Sequence, residues 1–241
     1  MAADKSSLEK QLEDYRFALS KVSHEVRNPV TLINSYLQLL EKDHPELKQN
    51  ELWSDITEEM LFLRRLLDDL SCYNNTFCCQ FSATEMSPFL LKLSESVYLL
   101  FPDSPISYQI SVPENLPTLS VDPLKLNQAL TNLLRNSFES AAQSVSFSVV
   151  EKQDCLQIDI INDGASISKE QQTEFFKPFV TTKPNGTGLG LPIARGIIEA
   201  HHGSIAFLFP EDKNTSDNLD KSDTLFNHMS GSHLRIVLPL C

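Results

Sequence analysis

The sequence predicts an α+β protein in which a helical hairpin precedes an α/β sandwich. Two observations predict this fold class. From Leu8 to Leu40 apolar residues recur at steps of three or four, which is typical of the buried stripe of a helical bundle. After about residue 80, helical periodicity alternates with strand-like alternation, which is typical of a mixed α/β domain. We therefore expect a hairpin domain over residues 1–80 and a second domain over residues 83–241.

The hairpin is predicted by two apolar stripes and the break between them. Pro45 follows the first stripe, and it ends the helix because it lacks an N–H group and pushes the preceding residue towards extended geometry. A second stripe runs from Leu52 to Leu70. Within one hairpin each stripe has only one partner helix. Pairing with a second copy into a dimeric four-helix bundle would bury both stripes. We expect a homodimer.

The second domain is predicted to combine three helices with five mainly antiparallel strands. The helices are expected over residues 86–101, 122–143 and 190–202, and the strands over 106–112, 144–152, 155–162, 204–209 and 233–240. Asp122 is expected to cap the second helix, with Pro123 in its first turn. Residues 211–223 are polar, charged and aperiodic, which predicts a solvated, mobile loop.

Composition and charge exclude several classes of function. The chain has 20 basic against 32 acidic side chains and a net charge of −12, which argues against a nucleic-acid binder with a broad basic face. Five cysteines without paired CxxC spacing favour reduced thiols over a zinc site or a disulfide framework. No apolar run approaches the roughly 20 residues of a membrane span, and the first residues lack the apolar core of a secretion signal. We expect a cytoplasmic protein that binds no nucleic acid and inserts into no membrane.

The segment SHEVRNPVT, residues 23–31, contains the first candidate for chemistry. His24 falls off the buried stripe, so we expect its imidazole on the accessible flank of the bundle, with Asn28 one turn away on the same side. A neutral histidine can act as a nucleophile, and the adjacent Glu25 can accept its proton. Pro29 costs about 3 kcal/mol in a regular helix. Because Pro29 destabilises the helix this much close to His24 and Glu25, the segment favours a functional role for His24 over an ordinary exposed histidine.

Two asparagines are predicted to share one face of the helix over residues 122–143. Asn132 and Asn136 are four residues apart, and interior asparagine is a mediocre helix former, so both are expected to have partners. Asparagine oxygens suit Mg²⁺, which usually keeps water and phosphate in its shell. Capping or bridging of neighbouring backbone is the alternative interpretation.

Glycine is scarce in the chain but clustered at one place. Three of the seven glycines lie in the loop Gly186-Thr187-Gly188-Leu189-Gly190, which leads into a predicted helix. Backbone N–H groups of such a loop, together with a helix N-terminus, can hold phosphate oxygens. The spacing matches neither the dinucleotide-binding GxGxxG pattern nor the GxxxxGK[ST] phosphate loop.

Together these segments resemble the transmitter module of two-component sensor histidine kinases over nearly the whole chain. HEVRNP is similar to that family's H-box, NLLRNSFESA to its N-box, FFKPF to its F-box and GTGLGL to its second glycine box, and the four occur in the family's order. The resemblance implies that the second domain has the ATP-binding fold shared with gyrase, the Hsp90 chaperones and MutL. It also implies a kinase that phosphorylates His24 from Mg-ATP and passes the phosphoryl group to an aspartate of a response regulator.

The resemblance implies the order of events at His24. Neutral His24 would attack the γ-phosphate of ATP in line, Glu25 would accept the proton, and the lid between Phe175 and Gly188 would close over the nucleotide. Asn28 matches the position that the family uses to place water in the reverse reaction, so phosphatase activity towards the regulator is also implied.

Roles at the nucleotide are likewise implied by the resemblance. Asn136 would bring Mg²⁺ to the phosphates, and Asn132 would add phosphate contacts. ATP-hydrolysing relatives have a water-activating Glu at the position of Asn132, so its absence here favours transfer over hydrolysis. The loop Gly186–Gly190, Leu189 included, would border the triphosphate, and Lys183 on the lid would contact phosphate.

One box departs from the family pattern. The first glycine box has the pattern DxGxG, and here Asn162 stands for the Asp, Gly164 for the first glycine and Ser166 for the second. The Asn162 oxygen can still accept a hydrogen bond from the adenine amino group, but without charge assistance, so we expect ATP binding weakened by about 1 kcal/mol.

Two alternatives follow from these boxes. The altered first box favours a histidine phosphotransferase of a phosphorelay with a degenerate ATP-binding domain, whereas Asn136 and the second glycine box argue against it. A chaperone-like or DNA-repair ATPase of the same fold is disfavoured by HEVRNP and by the missing Glu at position 132.

Overall fold

A computed structural model describes residues 2–209 and 231–240. Its contacts divide the chain into two compact units. The first contains the residues up to Asn75 together with Thr181–Leu189, and the second contains Thr76–Val180 and the residues from Gly190 onward. The first is helical and the second contains a mixed sheet with helices, so the predicted α+β class is confirmed. The loop predicted over residues 211–223 lies outside the described residues.

The first unit is built on a helical hairpin. Helix α1 (Ala2–Asp43) and helix α2 (Glu51–Asn74) are joined by a short 3₁₀ helix (Pro45–Gln49). Pro45 occupies the first turn of the 3₁₀ helix, so α1 ends where the sequence predicts. The side chain of Asn50 accepts hydrogen bonds from two N–H groups in the first turn of α2, which satisfies donors that a helix start leaves unpaired.

The apolar stripes of the hairpin stay largely exposed. Val30 and Leu67 are the buried apolar side chains among the described residues of α1 and α2. By contrast, Ile33 is 48% exposed and Leu52 is 71% exposed. The described hairpin therefore buries little apolar surface by itself.

Within its described residues, the second unit contains a five-stranded sheet, a two-stranded ribbon and four helices. In spatial order the sheet consists of β2 (Ser107–Ser111), β4 (Ser144–Glu151), β5 (Cys155–Asn162), β7 (Ser232–Pro239) and β6 (Ser204–Leu208). The ribbon pairs β1 (Ser82–Glu85) with β3 (Thr118–Val121), and the helices are α3 (Met86–Tyr98), α4 (Pro123–Ser140), α5 (Lys169–Phe175) and α6 (Gly190–Ala200). All strand pairs are antiparallel except β2 with β4.

The core of this unit lies between the sheet and the helices that cover it. Leu156, Ile158 and Ile160 alternate along β5 and are fully buried, and one face of α4 is buried in the same way. Helix α4 packs against both β5 and α6. Since α4 contains both predicted asparagines, the core fixes the helix on which the candidate site depends.

The start of the second unit is fastened to α4 and α6. Thr76 is 1% exposed, and it packs so closely on α6 that a β-carbon on Gly196 would lie 3.1 Å from its hydroxyl. Asp122 caps α4 as predicted and also accepts a hydrogen bond from the N–H of Gln80 (2.7 Å). The imidazole of His201, at the end of α6, accepts from the N–H of Asp122 (2.9 Å). These contacts hold the start of α4 and the end of α6 together.

All eight elements predicted for the second domain occur, with ends that differ by three residues at most. Helix α4 ends at Ser140 rather than at Gln143, because the N–H groups of residues 142–144 donate to the carboxylate of Asp163. The sequence reading missed α5 and the ribbon of β1 and β3. The parallel pairing of β2 with β4 was not predicted from the sequence either.

Candidate active site

Asn132 and Asn136 are brought together at the start of α6. Both are half-buried on one face of α4. A β-carbon on Gly190 would lie 3.7 Å from Asn136 Nδ2 and 4.0 Å from Asn132 Nδ2. Gly190 is the first residue of α6, where backbone N–H groups lack intrahelical partners and the helix dipole is positive. Two amide side chains and a helix N-terminus thus converge, which is a favourable place for anionic oxygen atoms.

Asn162 lies at the end of β5 and is 4% exposed. Its Oδ1 accepts a hydrogen bond from the N–H of Gly164 (3.0 Å), and its Nδ2 donates to Ser232 Oγ (2.8 Å). Because an N–H group can only donate, the atom facing Gly164 must be the oxygen, and this settles the orientation of the amide. The oxygen keeps a second lone pair. The side chain can therefore accept one further hydrogen bond, as an adenine amino group would require.

The glycine loop belongs to the segment Thr181–Leu189 of the first unit. Thr187 Oγ1 donates a hydrogen bond to Asp69 Oδ2 of α2 (2.6 Å). Gly188 adopts φ 67°, a conformation that glycine tolerates without strain. Leu189 is fully buried, whereas Lys183 and Gly186 are half-buried. In this arrangement the hydroxyl of Thr187, which is predicted to border the triphosphate, is hydrogen-bonded to α2 of the hairpin.

The segment before the glycine loop is anchored at one end and strained at the other. The ring of Phe176 lies 5.7 Å from that of Phe207, and the guanidinium of Arg195 lies 5.5 Å from the Phe176 centroid. Phe179, three residues on, is exposed and has φ 64°, which is uncommon for a residue other than glycine. Phe179 therefore lies within the predicted lid, which begins at Phe175.

The phosphoacceptor candidates lie in the middle of α1. The helix continues through Pro29, and the side chains of Glu25 and Asn28 are exposed. The backbone of His24 is part of α1, whereas its side chain lies outside what the structure describes. The accessibility predicted for its imidazole therefore stays a prediction.

Arg27 is a residue whose role the sequence reading missed. Its Nη2 donates to the Leu67 carbonyl (3.1 Å), to Asp68 Oδ1 (3.0 Å) and to Ser71 Oγ (2.9 Å). These bonds join α1 to α2 one turn beyond His24. These bonds become visible only when the two helices pair, because the partners are 40 to 44 positions apart along the chain.

The residues of each unit fit the groups that the sequence implies. In the second unit, the amides at Gly190 supply oxygen ligands of the kind that Mg²⁺ prefers, and the helix N-terminus beside them suits phosphate. The remaining lone pair of Asn162 suits an adenine amino group. In the first unit, the predicted phosphoacceptor segment lies on α1, and the predicted lid contacts α2 through Thr187.

Known families and a curated relative match most of the chain. Residues 121–240 match the histidine kinase-, DNA gyrase B- and HSP90-like ATPase family, and residues 15–72 match the His Kinase A (phospho-acceptor) domain. Sporulation kinase B of Bacillus subtilis is 30% identical over 194 residues, which cover 78% of this chain and 45% of that protein. The chain thus spans about half the length of this relative.

Two solved structures share the fold. The full-length ShkA structure in complex with AMPPNP has a TM-score of 0.67 at 19% identity, and the match covers 93% of this chain and 46% of that one. Histidine kinase ThkA in complex with the response regulator protein TrrA has a TM-score of 0.63 at 20% identity, over 98% of this chain and 66% of that one. None of the described helices is long and apolar enough to cross a membrane. A phospho-acceptor domain followed by an ATPase domain of this type shows that the chain belongs to the sensor histidine kinases and contains their transmitter module.

Proposed function

We propose that this chain transfers the γ-phosphoryl group of ATP to His24 and then to an aspartate of a response regulator. The observation that carries the proposal is the convergence of Asn132 and Asn136 on Gly190 at the start of α6. Residues 83–241 would bind the nucleotide, and the hairpin over residues 1–80 would present the phosphoacceptor. The known complex of ThkA with a response regulator supports a partner of this class.

The second unit supplies binding and orientation rather than covalent chemistry. Asn136 would hold Mg²⁺ through its side-chain oxygen, and Asn132 and the first-turn N–H groups of α6 would bind phosphate oxygens. When bound, Mg²⁺ neutralises charge on the phosphates. The side-chain amide of Asn132 cannot act as a base, so it does not activate water for hydrolysis of ATP. Asn162 accepts a hydrogen bond from the adenine amino group without charge assistance.

The hairpin supplies the nucleophile and its proton acceptor. The neutral imidazole of His24 attacks the γ-phosphorus in line while the bond between the γ-phosphorus and the bridging oxygen breaks and ADP leaves, and the exposed carboxylate of Glu25 takes the imidazole proton. Asn28, one turn along the same helix, orients water for removal of the phosphoryl group from the regulator. Lys183 and the loop Gly186–Leu189 close over the triphosphate once Thr187 leaves Asp69.

The exposed stripes of the hairpin support a dimer. Val22, Val26, Ile33 and Leu40 lie on the α1 stripe and are all exposed, at separations of four or seven residues that bring side chains to one face of a helix. A second hairpin with the same stripes would bury them in a four-helix bundle. We therefore propose that the working unit is a homodimer.

The proposal is tested by incubating the protein with Mg²⁺ and γ-labelled ATP. We expect acid-labile, base-stable label that disappears in His24→Ala and persists in His44→Ala, the matched control at the residue that follows α1. The alternative function, a histidine phosphotransferase, predicts no label from ATP but label from a phosphorylated regulator. The match of residues 121–240 to the ATPase family weighs against that alternative.

A further inference from the structure

The carboxylate of Asp163 is bonded to the connection between α4 and β4. Its Oδ1 accepts hydrogen bonds from the N–H groups of Ala142 (2.9 Å), Gln143 (2.9 Å) and Ser144 (3.0 Å), and its Oδ2 accepts one from Ser144 Oγ (3.0 Å). Three successive backbone N–H groups that point at one anion form a nest. Partial burial would raise the pKa of Asp163, but these donors outweigh it and lower the pKa to about 2. The group is therefore ionised at neutral pH.

Asp163 stands between Asn162, which the proposed function places at the adenine, and Gly164 of the same glycine box. Asn162 precedes it and Gly164 follows it, and the loop meets the end of α4 again at Gly164. A β-carbon on Gly164 would overlap the carbonyl oxygen of Ser140, the last residue of α4. Glycine is required there because the two backbones touch. Two independent contacts thus fasten the adenine-side loop to one end of α4.

The same helix, α4, contains Asn132 and Asn136, the residues that the proposed function places at the phosphates. Asn136 lies four residues before Ser140, which is about 6 Å along the helix axis. A displacement of the loop against the end of α4 would change the distance between Asn162 and Asn136. Both residues must reach one nucleotide at the same time, so this distance governs how well the two halves of the site bind it.

We propose that Asp163 is a positioning residue that holds the adenine-side loop at a fixed distance from the phosphate-side face of α4, and so sets the affinity for ATP. The proposal rests on the proposed function, because it assumes that Asn162 and Asn136 bind the same nucleotide. Aspartate is suited to this place because an ionised carboxylate only accepts hydrogen bonds. An amide can keep an oxygen at the Oδ1 position but then places N–H groups at the Oδ2 position, opposite the N–H of Gln143 (3.2 Å), so Asp163→Asn alters the contact at nearly constant volume.

The test compares Asp163→Asn with Asp154→Asn, an exposed aspartate in the turn at the opposite end of the same β4–β5 hairpin. In the nucleotide-free protein, amide hydrogen exchange of Ala142, Gln143 and Ser144 is measured first. We expect Asp163→Asn to accelerate this exchange and Asp154→Asn to leave it unchanged.

Direct binding of ATP is measured next, together with the KM and kcat of His24 labelling. We expect Asp163→Asn to raise the Kd and KM for ATP on the order of tenfold, with kcat within about twofold.

The KM and kcat separate positioning from simple loss of structure. A destabilised but otherwise normal protein would contain fewer active molecules, so kcat would fall while KM stayed constant, and that result would overturn the proposal. Where Asp163→Asn does not fold, Ser144→Ala removes one bond to the carboxylate. It should raise the KM for ATP by about two- to threefold, and an unchanged KM would contradict the proposal. A wild-type protein that binds no ATP would instead refute the proposed function.

Discussion

The two units of the chain hold their functional residues by different means. In the second unit, polar side chains are fixed by backbone groups of a packed sheet, as Asn162 and Asp163 are. In the hairpin, the predicted functional side chains Glu25 and Asn28 are exposed, and much of the apolar surface is exposed too. The difference indicates that the second unit fixes its own polar side chains, whereas the described part of the hairpin leaves an apolar surface that another molecule could cover.

The largest effect is expected in the buried polar cluster of the sheet. Asp159 is 1% exposed and accepts hydrogen bonds from His233 Nε2 (2.8 Å), Arg235 Nε (2.7 Å) and Gln157 Nε2 (2.7 Å). Asp159→Asn should lower the free energy of unfolding of the second unit by about 3–5 kcal/mol at pH 7, because it leaves the partly buried guanidinium of Arg235 and the buried imidazole of His233 with a weaker partner. Urea denaturation followed by circular dichroism measures this change, and Asp154→Asn should leave stability unaltered.

The same cluster predicts a dependence on pH. Burial would raise the pKa of Asp159, but the hydrogen bonds from His233 and Arg235 outweigh it and lower the pKa below its ordinary value. The stabilisation by the carboxylate is therefore complete above the ordinary value and is lost as the pH falls through the lowered one. The difference in stability between wild type and Asp159→Asn should shrink below about pH 4. A difference that grew on acidification would contradict this assignment.

The second effect concerns the exposed stripe of the hairpin. Ile33→Asp places a carboxylate on the surface that a second hairpin would cover, so the Kd of the dimer should rise about a hundredfold. Analytical ultracentrifugation measures the Kd, and Gln38→Asp, an exposed α1 position off the stripe, is the control. Equal dimerisation of both variants would show that this stripe is not the interface.

A smaller effect is expected from the polar contact within the hairpin. Arg27→Ala removes the bonds to Leu67, Asp68 and Ser71, but the guanidinium is 30% exposed and Asp68 66% exposed, so solvent screens the ion pair. The hairpin should lose about 1 kcal/mol. Trp53 is the single tryptophan of the chain and lies on α2, so its fluorescence reports this unit. A loss as large as that of Asp159→Asn would remove the contrast between the units.

The smallest effect is expected where the glycine loop contacts α2. ATP binding must break the hydrogen bond from Thr187 to Asp69 if Thr187 borders the triphosphate. Asp69→Ala should therefore raise the affinity for ATP about two- to fivefold, the net worth of a hydrogen bond. Glu59→Ala, an exposed position on the same helix, should leave the affinity unchanged. Weaker binding in Asp69→Ala would show that the contact assists the nucleotide site.

Much of the fold follows from local patterns, and the failures have physical causes. The hairpin and eight further elements were predictable because each contains enough residues for its apolar pattern to repeat. Helix α5 was missed although Ser168 and Gln171 form a capping box at its start, a signal that could have located it. The four-residue strands β1 and β3 are too short to show a period, and the parallel pairing of β2 with β4 depends on long-range contacts.

The candidate site was predictable in its residue types but only in part in its contacts. The i,i+4 spacing placed Asn132 and Asn136 on one face, and the structure adds that this face meets Gly190. The bond between Asn162 and Ser232 joins residues 70 apart, and the roles of Arg27 and Asp163 likewise depend on distant partners. Such contacts cannot be derived from spacing because they exist only after the elements pair.

The central claim is that Asn136 and His24, in different units, act in one phosphoryl transfer. The most direct measurement is the binding of ATP beside its label transfer in wild type, His24→Ala and Asn136→Ala. The account predicts that His24→Ala binds ATP with wild-type affinity but acquires no label, whereas Asn136→Ala loses both binding in the presence of Mg²⁺ and label. Wild-type labelling in either variant would contradict it.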